Sequence, residues 1–573
     1  MTAPTTTSTR TAPATRRRRT WLVTAGPAVL VVLPLVGMSL KGDERLHLFQ
    51  QVFYTDVNLF GIAQYVEERI FNFLNIGNFR PIGRFTEVLV HGVAFESAEA
   101  TGLSPHLILG VVRVLTVALL AILAAKMVGA LVRSAGVAAD RSLVSLYPLV
   151  VGTVVVANGI IGGLAQFPHT FIGSVLLILA AALATARDRD VERRPLRKRE
   201  YASMAAFGAL LVLFYDVAYL APIVAAGFVA ARMVAGRLRL RAALATAAVR
   251  RWAALSAGFA AVFIPVRIDI ARRCAPGECY SASDLSISPE IFETGLPRLA
   301  TGLPPVGWDY NAGLARLFGV EAGISSLVTN VVLLLMLAAV AAIAVAAVAR
   351  GWRPAAAGPS SILPGSGQSA AVQPDASPAA APAVAVQPDA AQRRGAHARL
   401  AAALIGLGAL MAVLSATLAG LSASMQRRDL PIGEAWREAQ LAQIAWSLII
   451  AGCLAALDLA TRSERARRAL RTAAAAVLAV GVAFTMLANW RFAEVDRRDP
   501  TAALTSLIAT STVHLDTTET GDEIRCALSG GYREVTPEKV WITGWRMRNE
   551  LDRFMGGRHG MAYCHPPTIE LPE

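Results

Sequence analysis

The chain has few charged and few aromatic residues for its length. Of 573 residues, 17% are charged and 7% are aromatic, whereas 54% are hydrophobic. A soluble protein could not bury that much apolar surface. The shortage of charge, together with a mean hydropathy of +0.48, therefore indicates a polytopic, all-α membrane protein.

Several signatures of known chemistry are also missing from the sequence. There is no Walker A element, which argues against an ATP-driven pump, and no Gly-x-Ser-x-Gly nucleophile element. No group of His, Cys and Asp has the spacing of a metal site, so we predict no certain cofactor and leave dependence on a divalent metal open. A soluble basic domain is absent as well, so nucleic acid is not an expected partner.

Apolar runs divide the chain into about eleven predicted transmembrane helices. A span needs about 20 apolar residues, and nine runs qualify: 21–40, 105–130, 143–161, 169–186, 252–268, 323–348, 400–424, 441–460 and 472–490. The first run could instead be a signal peptide, but no small-residue cleavage site precedes Lys41. The stretch 201–231 is too long for one span and is basic at both flanks, which predicts two short passes or a re-entrant hairpin with Asp216 at the outer turn.

Basic clusters set the expected orientation. Arg16 to Arg19 precede the first span, and the positive-inside rule places such a cluster in the cytoplasm. An odd number of spans then puts the C-terminus outside. The formal net charge of +14 thus reflects membrane orientation, and we expect a multi-pass protein of a plasma membrane.

The predicted organisation has five parts. These are a disordered basic N-terminus (1–20), a transmembrane module (21–350) with outer loops at 41–104 and 267–322, a disordered Ala/Pro-rich linker (351–398), C-terminal transmembrane helices (399–490) and a small extracytoplasmic domain (491–573). Within the first outer loop, residues 57–76 have one apolar helical face. That pattern favours either a helix in the lipid headgroup plane or a small helix packed on the spans.

The five cysteines agree with this topology. Cys274 and Cys279 fall in one predicted outer loop, and Cys526 and Cys564 fall in the outer tail. Because the outer side is oxidising, two disulfides are expected, Cys274–Cys279 and Cys526–Cys564. Free thiols, or a metal held by the first pair, remain alternatives, and Cys453 lies alone within a span.

The first outer loop carries the residues that point to chemistry. Asp43 and Glu44 follow the first span immediately, and Asp56 comes a little later. A partly desolvated carboxylate at a membrane surface suits general-base work. Cationic side chains expected at the same surface suit a phosphate, because arginine binds phosphate through two parallel hydrogen bonds; these are Arg80, Arg84, Arg267, Arg272 and Arg273. His169 begins a span at that surface and could line a cavity.

This arrangement resembles the first loop of the GT-C glycosyltransferases, which include the protein O-mannosyltransferases. Asp43-Glu44 matches the acidic pair that follows the first helix in that family, and Asp56 is similar to a second acidic position. Phe79-Arg80-Pro81-Ile82 resembles an aromatic-Arg-Pro-aliphatic element before the second helix. The resemblance is best over 20–190. It implies a GT-C-like fold and a polyprenyl-phosphate-linked sugar as donor. It also implies transfer to an envelope glycan, glycolipid or protein.

Each candidate also has a purely structural interpretation. Asp43 and Glu44 could be ordinary charges beside the membrane, and Asp56 could cap a helix that begins at Val57. Arg80-Pro81 could simply start a helix. Arg272 and Arg273 could be a solvated pair, and His169 could be a satisfied interfacial histidine.

Three functions compete at this point. The leading one is a glycosyltransferase that uses a polyprenyl-phosphate sugar on the outer face, with membrane lipids as surroundings. The second is a transporter or flippase for an envelope lipid or glycan, for which internal repeats and midplane charges would be expected. The third is a non-catalytic membrane assembly protein.

Overall fold

The structure, a computed structural model, describes residues 14–48, 58–138, 142–159, 161–187, 196–238, 244–273, 284–312, 390–428, 434–461, 463–536 and 544–565. Within these ranges the chain is helical and forms no strand; a single isolated antiparallel bridge joins Leu285 to Ser422. An all-α fold is therefore confirmed. Asp56, Cys274, Cys279 and the predicted span 323–348 lie outside the described residues.

Eighteen α-helices are seen in this part of the chain. They are α1 (Ala14–Val32), α2 (Leu59–Asn75), α3 (Pro81–Thr101), α4 (Pro105–Ala135), α5 (Tyr147–Val154), α6 (Pro168–Thr185), α7 (Lys198–Phe214), α8 (Ala221–Gly236), α9 (Ala247–Arg273), α10 (Glu290–Arg298), α11 (Pro304–Ala312), α12 (Ala390–Gly420), α13 (Ala423–Gln426), α14 (Ala439–Ala460), α15 (Glu464–Arg498), α16 (Pro500–Val513), α17 (Glu519–Val535) and α18 (Gly544–His559). Short 3₁₀ turns lie at Leu33–Leu35, Leu143–Leu146 and Asp216–Leu220.

Seven of the described helices are long and apolar enough to cross a membrane. They are Pro105–Ala135, Pro168–Thr185, Asp216–Gly236, Ala247–Arg273, Gln392–Gly420, Ala439–Leu459 and Glu464–Arg498. Two further apolar helices, Leu22–Leu35 and Leu143–Val154, are shorter. The chain thus has the helices of a multi-pass membrane protein, whereas eleven full spans remain a prediction.

Two predicted spans turn out to be partial helices. The apolar part of the first ends at Leu35, and after a turn at residues 36–37 the chain has no regular structure as far as Lys41. The run 143–161 is helical only to Val154, after which the backbone is irregular and buried. Side chains from distant helices hold this backbone: Gln443 Nε2 donates to the Val156 carbonyl at 2.7 Å, and Asn489 Oδ1 accepts from Ala157 N at 2.8 Å. Irregular backbone survives inside an apolar bundle only where protein groups satisfy it in this way.

The long apolar stretch 201–231 is broken into two helices, as the flanking charges predicted. Helix α7 ends at Phe214, and Asp216 opens the 3₁₀ turn that leads into α8. Near the other ends of these helices, Glu200 of α7 lies 3.1 Å from Arg251 of α9, and Arg232 of α8 donates to Ser134 at the end of α4.

The bundle has two ends that differ in their polar groups. The Glu44 end, as we name it, holds residues 36–48, the beginnings of α3, α4, α6 and α14, and the last turns of α15. The Asp458 end holds the ends of α4, α6 and α8 and the beginnings of α7, α9 and α12. There Asp458 accepts from Ser142 Oγ at 2.7 Å and from Leu143 N at 2.9 Å.

The C-terminal helices α16–α18 pack at the Glu44 end. Their apolar side chains form one cluster with the first loop, α3 and the first turns of α4; its members include Leu40, Leu46, Phe95, Leu109, Ile508, Leu551 and Phe554. Arg558 adds ion pairs to Glu96 at 3.1 Å and to Glu99 at 2.7 Å. The predicted Cys526–Cys564 disulfide is present, and it joins α17 to the segment after α18.

Candidate functional site

Proline begins three of the helices that meet at the Glu44 end. Pro81, Pro105 and Pro168 each occupy the first turn of their helix, where a missing N–H costs nothing and φ is already helical. Helix α14 also begins here, since Gln440 Oε1 accepts from Gly163 N at 3.1 Å. Four helix N-termini therefore contribute partial positive charge to one end of the bundle.

A buried ion pair with a fully hydrogen-bonded carboxylate anchors the first loop. Asp496 of α15 is 4% exposed; its carboxylate accepts from Ser39 N and from Ser39 Oγ, each at 2.8 Å, and it pairs with Lys41. We call these three residues the Asp496 clamp. The clamp fixes the chain two residues before the acidic pair.

Gly42 lets the loop turn toward the bundle. Its φ is +51°, a conformation that favours glycine, and a Cβ here would lie 2.7 Å from Gln166 Nε2. One turn of helix follows, in which Leu46 N and His47 N both donate to the Asp43 carbonyl. Within that turn Asp43 is half-buried and Glu44 is buried, so the acidic pair presents one carboxylate outward and one inward.

Glu44 meets a histidine of α3. Its Oε1 lies 3.5 Å from His91 Nε2, and both side chains are fully buried. His91 Nδ1 lies 2.8 Å from the Glu87 carbonyl, which is an acceptor, so Nδ1 carries a proton. A neutral His91 would then turn an unprotonated Nε2 toward a carboxylate, and only a proton between the two groups makes the contact favourable.

The charge state of Glu44 follows from its neighbours. Burial by itself would raise the pKa of Glu44, but His91, at 3.5 Å, and the charge of Arg113 behind it lower the pKa overall. The carboxylate is thus ionised, and His91 is held in a single orientation against it.

A second buried acid lies one helical turn before His91. Glu87 accepts from His47 Nδ1 at 2.6 Å and from Arg84 Nη1 at 2.9 Å. Burial opposes ionisation here too, but the charges of Arg84 and His47 hold the pKa of Glu87 well below its usual range. We use the name histidine cluster for His47, His91 and His169 together with Glu44 and Glu87.

Phe167 organises the rings of this cluster. Its ring centroid lies 5.1 Å from that of His47, 5.8 Å from that of His91 and 6.1 Å from that of His169. The residue has φ +45°, which is uncommon for a non-glycine residue, and it directly precedes Pro168. Such strained positions persist where the surrounding structure determines them and cluster at functional sites.

His169 completes the cluster from α6. Its ring centroid lies 5.2 Å from that of His91, and neither of its nitrogens has a hydrogen-bond partner in the described structure. His106, at the start of α4, is likewise buried with both nitrogens unpartnered. Arg113 lies deeper in the same helix and donates to the carbonyls of Leu35 and Ala165. Buried polar atoms without partners are rare in proteins, and here several occur together.

Arginines surround the cluster on the side of α7. The Arg84 guanidinium stacks on Phe73 of α2 at 4.8 Å from the ring centroid, while it pairs with Glu87. Arg80 lies 4.6 Å from the ring centroid of Tyr215, which is buried at the break between α7 and α8. Arginine and N-terminal helix amides both suit a phosphate group, so this edge of the site is matched to an anion.

The structure brings together only some of the residues proposed from sequence. Glu44, Arg84 and His169 meet in the cluster, with Asp43 and Arg80 beside it. Arg272 and Arg273 lie elsewhere, at the exposed end of α9, where Arg273 donates to Asp269 at 2.9 Å and to Asn75 at 3.1 Å. Helix α2 is capped by Asn58, whose side chain accepts from Gly61 N at 2.7 Å, so it does not begin at Val57.

Sequence reasoning missed Glu87, His91 and His47. A signal was available for the first two: Arg84, Glu87 and His91 recur at helical spacing in an otherwise apolar run, which puts them on one face of α3. Across the described ranges, no three His, Cys, Asp or Glu side chains have the geometry to hold a metal ion.

Comparisons with known proteins leave the chemistry to be inferred from these residues. No family model matches the chain, and neither a curated protein nor a solved structure matches it.

Proposed function

We propose that the chain is a membrane glycosyltransferase that transfers a sugar from a polyprenyl-phosphate donor to a cell-envelope acceptor. The observation that carries this proposal is the composition of the Glu44 end. A half-buried carboxylate, Asp43, adjoins a buried Glu44–His91 pair, and the arginines Arg80 and Arg84 lie beside them. A base next to an anion-binding edge, on a bundle of apolar helices, suits a lipid phosphate donor.

Asp43 is the general base in this proposal, with Asp56 as the other candidate acid. Glycosyl transfer needs a base to take the acceptor's hydroxyl proton as positive charge develops on the sugar carbon. Asp43 is accessible, and its carboxylate has no hydrogen-bond partner in the described part of the chain. Glu44 and His91 act as positioning residues, because their buried pair fixes the short helical turn on which Asp43 lies.

The arginines and helix N-termini serve the donor. Arg80 and Arg84 supply charge-assisted hydrogen bonds to the phosphate, and the first turns of α3 and α6 add backbone N–H groups. The polyprenyl chain remains among the apolar helices, whose outer faces expose side chains such as Val111, Leu115 and Leu119 of α4. With its lipid chain among the apolar helices, the donor presents its phosphate at the same depth in the membrane as the arginines.

Orientation is part of the proposal. Basic side chains gather at the Asp458 end, for example Lys198, Arg232 and Arg251. The positive-inside rule then favours a cytoplasmic Asp458 end and an outer Glu44 end in a plasma membrane. The disulfide Cys526–Cys564 at the Glu44 end supports the same orientation, since disulfides persist on the oxidising side.

The test is sugar transfer in reconstituted liposomes. The full chain is supplied with a labelled polyprenyl-phosphate sugar, and the wild type is compared with Asp43→Asn and Asp56→Asn. Loss of a general base costs about 10²–10⁴ in rate, so one of the two variants is expected to lose transfer while folding normally. The matched control is Asp269→Asn, which removes a partly exposed acid whose partner is Arg273 of the same helix.

Two results would reject the proposal. Wild-type transfer by both Asn variants would leave these acids structural. A wild type that moves lipid between leaflets but transfers no sugar would establish the transporter instead.

A further inference from the structure

We infer that the Asp458 end of the bundle binds an acidic membrane phospholipid in a cavity framed by four helices. The cavity has a volume of about 290 Å³ and lies between the ends of α4, α6 and α8 and the start of α9. It is separate from the histidine cluster, which lies at the other end of the bundle, and it has no part in the proposed sugar transfer.

The cavity lies where membrane helices leave the hydrocarbon. All four framing helices are long and apolar enough to cross a bilayer, and the cavity is found at their ends. Lipid headgroups occupy this depth, just outside the apolar core. Two residues of the lining, Arg133 and Gly236, are exposed, so the cavity opens to the surface at that depth.

One side of the cavity is polar. Its lining includes Arg133, Ser134, Arg232 and Thr246, so two guanidinium groups and two hydroxyl groups border a single space. Arg232 is fixed there, because its Nε donates to Ser134 Oγ at 3.0 Å and its Nη1 donates to the Arg187 carbonyl at 3.2 Å. Both acceptors are uncharged, so these bonds orient the guanidinium without neutralising it.

The rest of the lining is largely apolar. Val229, Met233, Leu238 and Ala248 all border the same space. A free phosphate would gain nothing from such a wall, whereas the glycerol and first methylene groups of a lipid would bury apolar surface against it. Basic pockets between membrane helices are known to hold the headgroups of acidic lipids. A phospholipid therefore fits both sides of this cavity.

The sequence around the cavity has an excess of positive charge. The two segments that adjoin it, 186–200 and 232–251, together contain thirteen lysines or arginines and four aspartates or glutamates. The second segment contains six arginines and no acidic residue. Whichever pairs these side chains form with one another, the excess of cations remains, and it attracts an anionic headgroup.

Arg237 provides a separate indication. It stands between Gly236 and Leu238, both of which line the cavity, and its own side chain is exposed. The residue ends α8 with φ +56°, and its N–H donates to the Val234 carbonyl at 3.3 Å. Glycine is the usual residue at such a left-handed helix end, and any other side chain is strained there. A strained cation at the mouth of a cavity is typical of a ligand site.

The experiment measures how much phosphatidylglycerol the purified full chain retains in a neutral detergent, by native mass spectrometry. Phosphatidylcholine with the same acyl chains serves as the comparison. The wild type should retain one phosphatidylglycerol molecule at concentrations at which it retains no phosphatidylcholine. The bound lipid should also raise the unfolding midpoint, because a ligand that binds only the folded chain stabilises it.

Gly236→Phe tests the cavity itself. A Cβ at Gly236 would make ordinary contacts, the nearest at 3.6 Å from the Ser134 carbonyl oxygen, so a side chain can be added there. The phenylalanine ring should occupy the mouth of the cavity and abolish retention of the lipid. The matched control is Gly236→Ala, which loses the same glycine but leaves the cavity open, and it should bind as the wild type does.

Arg237→Gly and Arg237→Lys test the charge. Arg237→Gly removes one cation and should weaken phosphatidylglycerol binding about fivefold, the contribution of one basic residue near an anionic lipid. Its unfolding midpoint in lipid-free detergent should stay the same or rise, because glycine relieves the strained backbone. Arg237→Lys keeps the charge and should bind as the wild type does. A purely structural Arg237 would instead lower the midpoint in Arg237→Gly and leave lipid binding unchanged.

Three results would overturn the inference. If folded Gly236→Phe retains phosphatidylglycerol at the wild-type level, the lipid binds elsewhere on the bundle. If the wild type retains phosphatidylcholine equally well, the headgroup charge is not recognised. If glycerol 3-phosphate, which has no acyl chains, displaces the lipid at equal concentration, the ligand is a free phosphate ester. Sugar transfer is not measured here, so failure of the proposed function leaves each of these results unaffected.

Discussion

The Asp496 clamp and the histidine cluster both bury charge at the same end of the bundle, but they satisfy it differently. In the clamp, each carboxylate oxygen of Asp496 accepts from Ser39, and Lys41 balances the charge. In the cluster, Glu44 Oε1, His91 Nε2 and both nitrogens of His169 have no hydrogen-bond partner in the described structure. The two regions are only a few residues apart in the first loop.

This difference in hydrogen bonding distinguishes buried polar groups that stabilise the fold from buried polar groups that serve function. A fully satisfied network stabilises one conformation and leaves nothing for a ligand to gain. An incompletely satisfied network destabilises the fold and gains when a substrate, a water or a proton arrives. We therefore expect variants of the clamp to lose stability and variants of the cluster to lose activity.

Asp496→Ala should have the largest effect on stability. It leaves Lys41 buried without a counter-charge, and breaking a buried pair in this way costs about 3–5 kcal/mol. The expected result is a large drop in the yield of purified protein and in its unfolding midpoint. The midpoint is measured by light scattering and tryptophan fluorescence in detergent.

Its partner variant is Lys41→Met with Asp496→Leu, which removes both charges. Because no charge is then stranded, most of the stability should return. A wild-type midpoint for Asp496→Ala alone would mean that the clamp does not anchor the loop. The proposed structural role of the clamp would then be wrong.

Glu44→Gln should show the opposite pattern. Glutamine keeps the shape of the buried side chain and removes its negative charge, so no carboxylate is stranded and the free energy of unfolding should change by about 1 kcal/mol or less. Sugar transfer should fall by about 10²-fold or more, because His91 and the turn that carries Asp43 are no longer fixed. The measurement is transfer per folded protein alongside the midpoint. If Glu44→Gln instead lowers the unfolding midpoint strongly while its folded fraction transfers sugar at the wild-type rate, Glu44 has a structural role like that of the Asp496 clamp.

The smallest effect concerns acid. The pKa of Glu87 is lowered well below 4.5, so its ion pairs with Arg84 and His47 stabilise the folded state above about pH 4.5. That contribution is lost as pH falls from 4.5 through the lowered pKa of the folded state. Glu87 should therefore leave the unfolding midpoint of the wild type unchanged between pH 7 and pH 5. Below that range, its protonation should lower the midpoint. Glu87→Gln should show a shallower fall over the acid range, and curves that run parallel there would contradict the pKa shift.

The sequence predicted the helices well where local signals decide them. Apolar runs located the main helices, and Asp216 with its basic flanks predicted the break in 201–231. It failed at 143–161, because the irregular backbone after Val154 depends on Gln443 and Asn489. Contacts between residues about 290 to 330 positions apart leave no local pattern to recognise.

The candidate site was predictable in part for the same reason. Glu44 and Arg84 lie in the first loop and its helix, where a local motif pointed to them. Arg437 lies in a short connection before α14, and only the packing of α14 against α6 and the α7–α8 break brings it to Tyr215. The helices before the predicted linker 351–398 (the front half) and those after it (the back half) pack together through tertiary contacts, which a single sequence does not reveal.

Asn489 shows how far this pairing goes. Its amide nitrogen donates to the carbonyls of Val31 and Val155, and its oxygen accepts from Ala157 N, so one side chain of α15 supports three backbone groups of the front half. The back half therefore acts as a built-in subunit. If a gene were divided within the segment that encodes 351–389, we expect the front-half product to need the back-half product as a partner subunit, because Asn489 satisfies backbone groups of the front half.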